Sequence, residues 1–182
     1  KTDRISYVSA DYTAATLEIM QHLRKHGHSK IAYIRSTRNT EASADREAGV
    51  RMGLEQPDSK DWLWRGIPND MTVETVKTYL EEGFTAFVVE DDELGHQLLD
   101  MSNAHGLNCP DDFSLAVLGN PLNPMIDVPE WTSFSIPRRE MGREAFNMLL
   151  EHLKPSNTNA SAFPLRKQLN CTFQAGKTVR RL

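Results

Sequence analysis

The chain has 182 residues, 39% of them hydrophobic, enough for one domain of ordinary size or two small lobes with a real core, which excludes a disordered segment. Its 25 acidic against 21 basic side chains give a net charge of −4, so it lacks the basic footprint that neutralising nucleic-acid phosphates requires. Two cysteines, Cys109 and Cys171, are too few for a disulfide framework and stand outside any CxxC or Cys/His metal spacing, and no run of 18 apolar residues marks a membrane span.

Residues 5–9 predict a strand. Over residues 12–26, Ala15, Ile19, Met20 and Leu23 form a stripe at helical spacing, and Gly27 suits the left-handed position that ends it. A strand at 31–34 and a polar loop at 36–40 lead to a helix near 43–54, then to a strand around Trp62-Leu63-Trp64. Asp70 or Thr72 starts a helix with Val73, Val76 and Leu80 on one side, stopped by Gly83. A strand at 85–89 runs into an acidic turn and a helix carrying Leu94, Leu98 and Met101 as far as Gly106. The apolar segment 113–118 reads as a strand buried on both faces. After an irregular, proline-rich stretch, 132–136 is extended, and Pro137 opens a helix with Met141, Ala145, Met148 and Leu149 on its inner side. Residues 154–161 read as a surface loop, and the last strands lie within 162–173. Strand and helix alternate throughout, which predicts an α/β fold with a doubly wound, mostly parallel sheet.

In such a sheet, ligands bind beyond the carboxyl ends of the strands. The turn Glu90-Asp91-Asp92-Glu93 lies at one of those ends and offers acceptors to a polyhydroxylated small molecule, although Asp91 or Asp92 also suits a helix cap. Arg46, in the helix after the strand 31–34, can offer paired N–H donors to ligand oxygens, or can form a solvated ion pair with a carboxylate such as Glu41. Trp64, Trp131 and Tyr12 are available to stack on a sugar, with the core reading favoured for Trp64.

No catalytic set and no phosphate-binding glycine loop occurs, and the histidines lack metal-ligand spacing, so we expect no enzyme, no metal and no cofactor. The start of the chain lacks the apolar core of a signal peptide, and a cytoplasmic location is the simplest expectation.

Several segments then line up, in order, with one family. The stretch from His22-Leu23 through Gly27-His28-Ser29-Lys30-Ile31-Ala32 resembles the "HL…GH+KIA+I" signature of the effector-binding part of lactose-repressor-type (LacI family) transcription regulators. Arg46-Glu47-Ala48-Gly49 is similar to its "RxxG" helix, residues 85–94 to its "TA+++xND" turn, residues 106–115 to "GLxVPxDxSV", and residues 129–142 to "PxLTTVxxPxxxLG". The resemblance runs over roughly residues 5–175.

It implies a periplasmic-binding-protein-like sensor of two α/β lobes, in which a small sugar-like effector alters the operator affinity of a separate DNA-binding head. That head and the first half of the N-terminal lobe belong, by the resemblance, ahead of the region present here. Residues 1–136 are then mainly the C-terminal lobe, 137–153 a helix crossing to the N-terminal lobe, and 154–182 a return strand and tail. Arg46 takes the ligand-clamping arginine position, Asp91 the asparagine of the "ND" turn and Asp92 its aspartate. Where the family often has "GxDD", this chain has Val117-Leu118-Gly119-Asn120, leaving Asn120 as the substitute. Arg46, Asp91, Asp92, Asn120 and Trp131 are thus the expected effector-binding residues. A homodimer is implied through the helix after Asp91, with Leu98, Leu99 and Met101 divided between core and interface. The competing expectation is a transporter's sugar-binding protein with the same fold.

Overall fold

A computed structural model describes residues 5–55, 62–66, 71–120, 129–153 and 164–182. Asp70, most of the proline-rich stretch before Pro129 and the expected surface loop at 154–161 lie outside the described residues.

The main sheet has six strands in the order β3-β2-β4-β5-β6-β8, built from β2 (Ile31–Ser36), β3 (Leu63–Gly66), β4 (Ala86–Val89), β5 (Ser114–Val117), β6 (Thr132–Ser135) and β8 (Thr172–Gln174). All pairs are parallel except β6 with β8. Every residue of β2, β4 and β5 is buried, as a sheet covered on both faces demands. The covering helices are α1 (Tyr12–Lys25), α2 (Glu41–Gly53), α3 (Val73–Glu81) and α4 (Asp92–Asn103). Phe87 of β4 anchors one face, edge-on to Phe113 at 5.3 Å and to Tyr79 at 6.0 Å.

Helix starts follow the expected chemistry: Asp11, Thr40, Thr72 and Asp91 each accept a backbone N–H three residues ahead. Gly27, Gly83 and Gly106 take positive φ where helices were expected to stop. Packing of α2 on α1 needs two further glycines. A Cβ on Gly49 would lie 2.5 Å from the Thr13 carbonyl oxygen, and one on Gly53 would lie 2.3 Å from Met20 Cβ. These two positions let the helix backbones approach closely and fix where α2 carries its polar side chains.

The first strand behaves differently. β1 (Tyr7–Ala10) stays out of the main sheet and pairs in parallel with β7 (Arg166–Leu169), 159 residues away, as a two-stranded sheet. Helix α5 (Arg138–Leu153) packs on β1 and is tied to β7 by a Glu144–Lys167 ion pair of 2.8 Å. Its inner face runs through half-buried Met141, Glu144 and Met148. Two of its expected inner residues need correction: Ala145 and Leu149 are exposed, because the apolar stripe is wider than the strip of sheet it covers.

The tail closes the main sheet. Thr178 accepts the Leu115 N–H on its carbonyl oxygen at 2.8 Å and the Thr132 N–H on its hydroxyl at 3.0 Å. The Arg180 N–H reaches Ser114 Oγ at 3.0 Å, and the Leu182 N–H reaches the His26 carbonyl at 2.9 Å. His28, buried beneath, is held between Thr85 Oγ1 and the Arg180 carbonyl at 2.9 and 3.1 Å.

Candidate functional site

The strand order turns back on itself at β2, which has β3 on one side and β4 on the other, so the crevice of interest opens beyond the carboxyl ends of β2, β4 and β5. Three residues stand at those ends: Ser36, Glu90 and Gly119.

Glu90, the first carboxylate of the acidic turn, is 3% exposed and accepts both the Ser36 N–H at 3.0 Å and the Ser36 hydroxyl at 3.1 Å through Oε2. It bridges β4 to β2 and fills the gap between them. Asp91 accepts the Leu94 N–H at 3.0 Å as the cap of α4, while Asp92 and Glu93 sit in the first turn, where the helix dipole favours anions. All four carboxylates therefore have a local structural part to play. Burial pushes the Asp91 carboxyl up, the Leu94 N–H draws it back, and Glu90, Asp92 and Glu93 push it further; no cation is among its influences.

Arg46 projects from α2 with its guanidinium carbon 4.6 Å from the centre of the Tyr12 ring. Its Nη2 lies 3.7 Å from where a Cβ on Gly119 would stand, so Gly119, at φ +138°, clears the space that the guanidinium borders. The Arg46 Nε is buried without a hydrogen-bond partner, and no ion pair holds this guanidinium among the described residues. The carboxylate next door is taken: Glu47 pairs with Arg35 at 2.6 Å, with both side chains largely buried, and lies 3.7 Å from Arg51. Arg46 also contributes to the surroundings of Tyr33, whose buried hydroxyl is driven up by desolvation and Glu90 and eased down by Arg46.

Asn120 follows Gly119 and is half-buried. Its Oδ1 accepts the Ile136 N–H at 2.9 Å and Arg138 Nη1 at 2.7 Å, and its carbonyl oxygen accepts Arg138 Nη2 at 3.0 Å. Two donors on one atom settle which side of the amide is oxygen, so Nδ2 carries the two N–H groups that remain. Arg138 thereby joins the end of β5 to the first residue of α5.

Trp131, a stacking candidate, lies mostly out of solvent. It is 5% exposed, at right angles to His96 at 5.3 Å and with its ring tip against the Gly95 position, so little of the ring is open to a ligand. Trp64 is half-buried in β3 and packs against the core. Tyr12 belongs to the site as the platform under Arg46. Arg138 was not singled out in the sequence, where it is one of several cations at the start of a helix. Its signal was the position directly after Pro137, at the start of the helix expected to cross between lobes. Among the described residues, no group of three or more histidine, cysteine or acidic side chains is arranged to hold a metal ion, and no helix is long and apolar enough to cross a membrane.

What the arrangement offers is a set of hydrogen-bond donors, Arg46 and the Asn120 amide, around a space cleared by glycine at the end of a parallel sheet. The periplasmic binding protein-like domain matches residues 20–174. Catabolite control protein A of Priestia megaterium is 26% identical over 171 residues, taking in 90% of this chain and 52% of that protein. The HTH-type transcriptional repressor PurR of Vibrio parahaemolyticus is 25% identical over 155 residues, 82% of this chain and 46% of that one. A LacI family transcriptional regulator from Enterococcus faecium, solved with bound ribose, superposes with a TM-score of 0.76 at 20% identity, covering 97% of this chain and 66% of the other, and shows the shared fold. The chain spans about half the length of the curated relatives it matches.

Proposed function

We infer that this chain, which belongs to the periplasmic binding protein-like domain family, is the effector-sensing part of a LacI-type transcription regulator. In this reading a small, sugar-like effector binds at Arg46, shifts the equilibrium between open and closed arrangements of two lobes, and so alters the operator affinity of a DNA-binding head elsewhere in the protein. The observation that carries it is Arg46: a half-buried guanidinium without an ion pair or hydrogen bond among the described residues, held over Tyr12 beside Gly119. A cation in that setting is costly unless something accepts from it, and an effector oxygen is the natural acceptor.

Asp91 and Asp92 border the same end of the sheet and are read as flanking acceptors, with Asp91 Oδ1 already used by the cap. Trp131 is read as wall material behind the site. The six-stranded sheet stands for the C-terminal lobe, and β1, β7 and α5 stand for part of the N-terminal one. The chain catalyses nothing in this reading, works in the cytoplasm as a homodimer, and meets DNA only through the separate head. Leu98 is core, while Leu99 and Met101, half-buried on α4, are the candidates for the dimer contact. The relatives above are regulators, which favours this reading over a transporter's sugar-binding protein.

The test is binding of a panel of sugars, ribose and cellobiose among them, followed by calorimetry on Arg46→Ala. Loss of hydrogen bonds to a charged group predicts affinity weakened about ten- to a hundredfold with the fold intact. A hit bound equally well by the variant overturns the assignment.

A further inference from the structure

Resting on the reading of Arg46 as the effector-orienting residue, we propose that the group the effector presents to the end of β5 is an anionic acceptor, a carboxylate or a phosphate carried on a hydroxylated small molecule. Hydrogen-bond polarity at a single corner of the site carries this. The Asn120 side chain has only one acceptor atom, and Oδ1 is already taken by the Ile136 N–H and Arg138 Nη1. The same guanidinium occupies the Asn120 carbonyl through Nη2. The polar atom of the residue that these contacts leave over is Nδ2, a donor only. Arg46, whose Nη2 borders Gly119, is also a donor only.

A sugar hydroxyl placed between Arg46 and Asn120 would accept from both and find in neither an acceptor for its own proton, whereas a carboxylate or phosphate oxygen accepts and carries no proton. Around the half-buried Cys171 at this corner the charged groups are Arg46, Arg138 and Asp11, with Asp11 Oδ1 engaged in capping α1, while Asp91 and Asp92 stand at the neighbouring end of β4. Glu90, further along the same edge, spends its carboxylate on Ser36. An aspartate at position 120 would present acceptors to a neutral sugar; the asparagine, fixed by Arg138, reverses that polarity. Arg138 is therefore a positioning residue for specificity: it touches Asn120 and sets which face of the amide meets the effector.

The experiment is calorimetry of the full-length protein with matched sets of probes: glucose, galactose and mannose, their uronates, and their 6-phosphates. The expected result is that in at least one set an acid binds tenfold or more tightly than its neutral parent, the uronate and phosphate arms telling which anion is preferred. The advantage should shrink at least threefold when sodium chloride is raised from about 0.05 to about 0.5 M, because screening weakens attraction to a partly exposed charge. Asn120→Asp should reduce the acid's advantage below threefold, and the salt series on the unaltered protein supplies the answer if that variant does not fold. Neutral sugars binding as tightly as their acids, with binding lost in Arg46→Ala, would overturn the anion assignment and leave the sensor reading standing. If no probe of any set binds, the anion assignment falls, and if ribose, cellobiose and the rest of the sugar panel also fail to bind, the sensor reading falls with it.

Discussion

The six-stranded sheet and the small unit of β1, β7 and α5 are built from similar sequence patterns but solve the burial problem differently. In the first, α1, α3 and α4 each place two or more side chains fully out of solvent, and β2, β4 and β5 are buried along their whole length. In the second, no residue of α5 is buried, and Phe146, Leu149, Leu150 and Leu153 are 44–68% exposed. An apolar helix face of that size is what an interaction surface looks like before it is covered. The stripe of apolar residues is thus evidence that a helix wants a partner, and says nothing about whether the partner is within these residues.

The largest expected contrast is between two phenylalanines. Phe87→Ala removes a fully buried ring that meets two others and should cost about 3–5 kcal/mol in a urea titration. Phe146→Ala, on the exposed face of α5, should change the same measurement by less than about 0.5 kcal/mol. Equal effects would mean that the two units are packed alike and would break the comparison.

Two glycines sharpen it with opposite signs. Gly49→Ala forces a methyl into the Thr13 backbone and should destabilise by about 1–3 kcal/mol. Gly142→Ala in α5 meets nothing within 4 Å and should stabilise by up to about 1 kcal/mol, the ordinary gain of alanine over glycine within a helix. Thermal melts of the two variants are sufficient to read both signs.

A smaller effect is expected from pH. Burial lowers the His28 pKa, with the Arg180 carbonyl opposing and nearby cations assisting. The unfolded chain then takes up a proton near pH 6.5 that the folded chain refuses, so stability is complete above that pH and falls as pH drops toward the lowered folded value. His22 is shifted in the same direction, mainly by burial. Urea midpoints should fall from pH 7 to pH 5, and His28→Gln should flatten that slope in part. A midpoint independent of pH would contradict the buried neutral imidazole.

Most of the main sheet was legible in the sequence because its signals are local: apolar strands, caps at Thr72 and Asp91, glycine stops at residues 27, 83 and 106. The sheet to which β1 belongs was not legible, since its partner among the described residues lies 159 residues further on and strand periodicity carries no address. At the site, the position of Arg46 at the end of the sheet followed from element order. The task performed by Glu90 did not, because a buried carboxylate bridging two strands looks the same in sequence as one facing solvent. Nor did the orientation of Asn120, which depends on a guanidinium 18 residues away.

One feature of the tail sets an order of events during synthesis. Leu115 and Ser114 are held by Thr178 and Arg180, and the turn after α1 is held by Leu182. Until residues 178–182 are in place, β5 has β4, β6 and α4 for support but lacks these bonds, and His28 lacks its second hydrogen bond. The centre of the main sheet is therefore completed only after residues 178–182 have emerged and reached β5 and the turn after α1.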